Sequence, residues 1–138
     1  MNENLEYRIM ENNAKKIQKF TDLVAWQEGH KLVLGIYQET KKFPTEEKYA
    51  LTNQMRRAVV SFTSNIAEGF TKKSSKEKYQ FYSTAKASIT ELQNQLIVAK
   101  DVGYLSKESF DKIVKQSITA NKLLSGLLRA TQQKKFES

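Results

Sequence analysis

Five polar side chains recur at helical spacing between Gln54 and Phe70: Gln54, Arg57, Ser61, Asn65 and Glu68. Steps of three and four place them in one row, beside a second row of Leu51, Met55, Ala58, Phe62, Ile66 and Gly69 that reads as a core stripe. A hydroxyl nucleophile would need a base and an orienting carboxylate. The one histidine, His30, could in principle meet Ser61 and Glu68 across a bundle. It follows Trp26 by four residues on a face expected to be buried, which predicts a core histidine bonded to the polar row. A di-metal bundle needs Glu-x-x-His pairs on inward faces, and the chain has none. No glycine-rich phosphate loop occurs, and Ser75-x-x-Lys78 opens a helix. Neither catalysis nor a cofactor or metal is expected. Arg57 and Glu68 stand ~16 Å apart by helical rise, so each needs a partner on another helix or subunit. The row therefore predicts an internal network or subunit interface of Trp26, His30, Gln54, Arg57, Ser61, Asn65 and Glu68.

The second chemistry is cationic. The 138 residues carry 23 Lys and Arg against 15 Asp and Glu, a net charge of +8, which favours polyanionic partners. From Ser106 to Ser138 the cations are Lys107, Lys112, Lys115, Lys122, Arg129, Lys134 and Lys135, and the acids are Glu108, Asp111 and Glu137. That segment holds half the excess. Lys72, Lys73, Lys76 and Lys78 form a second cluster, interrupted only by Glu77. Candidate phosphate contacts are Arg56, Lys72, Lys73, Lys76, Lys112, Lys115, Lys122 and Arg129. Such contacts read no sequence and weaken steeply with salt. Tyr79, Phe81 and Tyr82 fit a core or interface better than a base-stacking platform.

The elements that must position these residues are helices. Residues 1–20 are expected as a polar, Asn-rich leader in which Leu5, Ile9 and Ile17 form an irregular helix or dock on a neighbour, and residues 21–134 as the domain. The first helix is expected from about Asp22 to Lys42, capped by Thr21 or Asp22, with Trp26, His30, Val33, Leu34 and Tyr37 buried. Phe43-Pro44 ends it. The second starts near Thr45 and ends at Gly69 in a left-handed glycine cap. Ser74 and Glu77 read as a capping box for the third, whose stripe is Tyr82, Ala85, Ile89, Leu92, Leu96 and Ala99. Gly103 closes it. Ser106 caps the fourth, which buries Phe110, Ile113, Ser117, Ala120, Leu124, Leu127 and Leu128. Short connections and the absence of period-two alternation predict an all-α, antiparallel up-down-up-down four-helix bundle. With no cysteine, no disulfide framework or thiolate site is available. No apolar run approaches the ~20 residues that span a bilayer, no spare apolar face accompanies the lysines, and residues 1–20 lack a signal-peptide core. The expected setting is cytoplasmic and away from membranes.

Three stretches, FTDLVAWQEGHKLVLGIYQET, FPTEEKYALTNQMRRAVVSFTSNIAEGF and EKYQFYSTAKASITELQNQL, with the closing VGYL, resemble the four-helix-bundle family of 23S rRNA intervening-sequence proteins. The resemblance covers roughly residues 20–105 well and the last helix by pattern. Its most specific motif is Q-x-x-R-A-x-x-S-x-x-x-N-I-A-E-G, Gln54 to Gly69. Members of that family often have proline where this chain has Thr63, so a milder kink is expected here. The resemblance implies a cyclic homo-oligomer, a pentamer. It extends to the accessory proteins of diversity-generating retroelements, basic barrels that bind nucleic acid and a reverse transcriptase, and so implies those partners in a retroelement setting. Two functions follow as expectations: a ring that binds RNA or DNA backbone, and, as the alternative, a ring that serves as a protein-interaction scaffold without nucleic acid.

Overall fold

Four helices account for nearly all of residues 17–137, the part of the chain that the computed structural model describes, with side chains described to residue 132. They are α1 (Val24–Thr40), α2 (Leu51–Thr71), α3 (Ser75–Asp101) and α4 (Lys107–Glu137). Short 3-10 turns at Phe20–Asp22 and Thr45–Glu47 precede α1 and α2. No strand occurs among the described residues. Of the expected leader, Leu5 and Ile9 lie outside them, and Ile17 packs against the core.

Contacts between neighbouring helices run in opposite order along the chain, which makes each pair antiparallel. Gly69 meets Tyr82 while Ser61 meets Ser88. Lys86 reaches Asn121 and Ser125 while Gln93 reaches Ser117. α1 packs on both α2 and α4, so the four helices close around one core. Its centre holds Leu32, Ile36, Met55, Val59, Phe62, Ile66, Ile89, Leu92, Leu96 and Leu124, each almost without solvent contact. The expected stripes of α2, α3 and α4 are the ones that pack; Phe110, Leu127 and Leu128 are half-buried at its margin.

α1 departs from expectation. Its buried ridge is Ala25, Gly29, Leu32, Ile36 and Thr40, whereas His30, Leu34 and Tyr37 are exposed and Trp26 and Val33 half-buried. The cause lies at the crossing with α2. A Cβ on Gly29 would stand 2.7 Å from Phe62 Cε2 and 2.9 Å from Thr63 Cγ2. Small residues let the backbones approach, and the bulkier side chains are turned outward.

The termini differ in detail. Asp22 caps the preceding 3-10 turn, accepting from the amides of Gln18 and Lys19 at 3.0 and 3.1 Å, and those bonds hold its carboxyl below the ordinary range. α1 itself starts after Leu23 without a side-chain cap. α2 begins at Leu51, not Thr45: the backbone breaks at Ala50 (φ −122, ψ −109) after the 3-10 turn, and Glu47 accepts from the Leu51 amide at 3.4 Å and from Tyr104 Oη at 2.8 Å. That bond raises the Tyr104 phenol. α2 runs past Gly69 to Thr71. Gly69 is helical, and it is glycine because a Cβ would lie 2.6 Å from Tyr82 Cε1. The end of α2 is satisfied instead by the Lys78 ammonium, which donates to the Phe70 and Gly69 carbonyls at 2.7 and 3.3 Å. Ser74 caps α3 as expected, accepting from the Glu77 amide at 3.1 Å. Gly103, at φ 88, takes the left-handed turn after α3.

Tyr82 is 3% exposed, and burial pushes its phenol up to about 12. In the unfolded chain tyrosine ionises near pH 10. The folded state therefore holds the proton longer, and stability falls as pH rises from about 10 to about 12. The shift corresponds to roughly 2–3 kcal/mol. Chemical unfolding across that range should show the loss, and Tyr82→Phe should flatten it.

Candidate nucleic-acid interface and the polar seam

The polar row of α2 divides into an engaged centre and free ends. Asn65 Nδ2 donates to the Ser61 carbonyl at 2.8 Å and to Ser61 Oγ at 3.2 Å. Ser61 Oγ and Ser88 Oγ are 2.8 Å apart, and Ser88 donates to the Thr84 carbonyl at 3.1 Å. A hydroxyl has one proton. With that of Ser88 committed to Thr84, Ser61 is the donor to Ser88, and the bonds run in one direction from Asn65 to Thr84. The chain ties α2 to α3 on the outer side of their seam. Ser88 was not expected from the sequence, although a signal exists: Thr84, Ser88, Glu91 and Gln95 form a second polar row opposite the first. Gln95 is buried, and its Oε1 has no donor among the described residues. Gln54, Arg57 and Glu68 are exposed, and their side chains make no hydrogen bond or ion pair among those residues. Mutating Ser61 and Ser88 to alanine singly and together should give a coupling of about 1 kcal/mol in urea unfolding.

His30 is not a core residue. It is exposed and stacks on Trp26, ring centroids 4.9 Å apart and planes 9° from parallel. Ser61 faces α3, while His30 stands beside the α1–α2 crossing, so α2 separates the two. The arrangement that a nucleophilic mechanism would need is not assembled. Among the described residues no three His, Asp or Glu side chains gather as metal ligands, and no helix is long and apolar enough to cross a membrane.

The cations separate into three groups. Arg56 is held by α1, with its guanidinium 4.6 Å from the Tyr37 ring centroid and Nε donating to Thr40 Oγ1 at 3.0 Å. Lys72, Lys73 and Lys76 cluster where α2 turns into α3; Lys72 lies over Phe81, and the other two are exposed. Lys112, Lys115, Lys122 and Arg129 are all exposed along α4. Lys115, Lys122 and Arg129 recur every seven residues, about 10.5 Å per step. No acid occurs between Asp111 and Glu137. The ion pairs among the described residues are local: Lys31–Glu28, Lys42–Glu39, Lys100–Asp101 and Lys107–Asp111. None engages a cation of the α4 ridge. The antiparallel order puts Arg129 at the same end of the bundle as Lys72–Lys76, and Lys112 at the other. The candidate contacts thus form a ridge and an end cluster, with Arg56 apart from both.

The family model for 23S rRNA-intervening sequence proteins matches residues 21–126, from the turn before α1 into the second half of α4. The chain belongs to the 23S rRNA-intervening sequence protein family. A crystal structure of a protein with unknown function from the S23 ribosomal protein family of Bacteroides thetaiotaomicron VPI-5482 shares the fold, with a TM-score of 0.71 at 21% identity over 77% of this chain and 96% of that one. No curated protein matches the chain. Neither description names an enzymatic activity. Thr63, at which the resemblance implied a milder kink, lies in an unbroken α2 and donates its hydroxyl to the Val60 carbonyl at 3.1 Å.

Proposed function

We propose that this intervening-sequence protein is a non-enzymatic, ring-forming module, a homopentamer, that holds RNA or DNA by the backbone without reading sequence. The observation that carries the reading is the α4 ridge: Lys112, Lys115, Lys122 and Arg129, exposed, free of ion pairs among the described residues and uninterrupted by any carboxylate. Exposed cations that make no ion pair among the described residues leave a field that attracts phosphates. Lys73 and Lys76 extend that field around the end of the bundle where α4 finishes. A ring repeats the ridge in every subunit, so weak contacts add through effective concentration.

Gel retardation of a labelled single-stranded RNA and of a DNA duplex at low salt tests the proposal. Both should be retarded irrespective of their sequence. No retardation at micromolar protein would reject it, and a specific protein that co-purifies after nuclease treatment would favour the scaffold function instead.

A further inference from the structure

Apart from the single exposed side chains of Tyr49 and Ile118, two groups of apolar residues remain uncovered among the described residues. The first lies along the outer face of α1 and α2. Leu34, Tyr37 and Val60 are 57%, 38% and 38% exposed, beside half-buried Trp26 and Val33. It exists because α1 packs through the ridge that contains Ala25 and Gly29 and turns Leu34 and Tyr37 outward. The second lies at the end of α3, where Val98 and Val102, one turn apart, are 41% and 56% exposed, and Ile97, 48% exposed, flanks them on the other side of Asp101. Surfaces of this kind on a well-charged domain mark contact sites.

We infer that copies of this chain associate head to tail, the α1–α2 strip of one copy docking on the C-terminal turns of α3 of the next. The inference rests on the ring reading above and assigns its contacting faces. Charge selects the occupant. The strip is edged by Arg56, and the α3 surface by Asp101, whose carboxylate is largely exposed and among the described residues pairs with its neighbour Lys100, at 3.8 Å. Pairing strip with strip would bring Arg56 toward Arg56, and pairing α3 with α3 would bring Asp101 toward Asp101. Only the unlike pairing sets opposite charges beside two apolar surfaces. A contact between unlike patches is heterologous, the geometry that generates a ring when its rotation closes. Neither surface includes α4, so association leaves Lys112, Lys115, Lys122 and Arg129 uncovered in every subunit.

The test uses light scattering on the full chain, with circular dichroism melts to verify folding. Tyr37→Glu with Val60→Glu blocks the strip, and Val98→Glu with Val102→Glu blocks the α3 surface. Each double variant should fall to the monomer mass. Mixed, they retain one intact face of each kind and should form a one-to-one dimer and nothing larger, a result that a like-with-like interface cannot give. As a gentler probe, Asp101→Arg should weaken association at least tenfold, and adding Arg56→Asp in the same chain should restore it. A wild-type oligomer unaffected by any of these variants would overturn the assignment and leave the ring standing. A wild-type chain that is monomeric at all concentrations would overturn both.

Discussion

Replacing Lys112, Lys115, Lys122 and Arg129 together by alanine is expected to lower affinity for a single-stranded oligonucleotide on the order of a hundredfold at low salt. Every phosphate that a cation neutralises adds about 0.7 to the salt slope, so removing four cations lowers it by about 3. The four side chains are exposed and make no ion pair among the described residues, so their removal should leave the thermal midpoint almost unchanged. Fluorescence anisotropy over a salt series measures both affinity and slope. Lys107 provides the control. It is bound to Asp111 at 3.1 Å on the same helix, and Lys107→Ala should change neither quantity appreciably.

The largest effect on stability is expected at Phe62. Its ring is buried where α1 crosses α2, occupying the space that Gly29 leaves open. Phe62→Ala removes that filling from a core which cannot fully collapse, at a cost of about 3–5 kcal/mol. For a domain of this size that lowers the melting temperature by roughly 10–20 °C. Gly29→Val fails for the opposite reason, since its first side-chain atom already meets Phe62 and Thr63 below contact distance. Combining the two should cost less than their sum by about 1 kcal/mol or more, because the valine enters part of the vacated volume while Thr63 still opposes it. Urea unfolding of the four proteins gives the coupling directly.

Helices whose packing uses their largest apolar residues were legible in the sequence. α3 shows this best: Tyr82, Ala85, Ile89, Leu92, Leu96 and Ala99 all lie in the core as their spacing indicates. α1 was not legible in the same way. Trp26, His30, Val33 and Tyr37 also recur at helical spacing, so periodicity alone favours the bulky row, while close approach to α2 selects the row containing Ala25 and Gly29. The same competition hid the role of Gly69, which ends no helix and makes room for Tyr82.

Among the candidate site residues, the Ser61–Asn65 contact lies within one helix, i to i+4, and belongs to the internal network that the polar row predicts. Its continuation to Ser88 spans 27 residues and depends on helix register, which a row on α2 does not specify. The α4 ridge was readable because it depends on charge sequence along one helix. Arg56 was the exception among the cations, since nothing local shows that Tyr37 and Thr40 hold it.

The most direct test of a polyanion-binding surface without base recognition is the salt dependence of wild-type binding to two oligonucleotides of equal length and unrelated sequence. The expected result is equal affinity for both and a logarithmic salt slope of about −3 or steeper. Affinity that does not change with salt, or that differs many-fold between the two sequences, would contradict it.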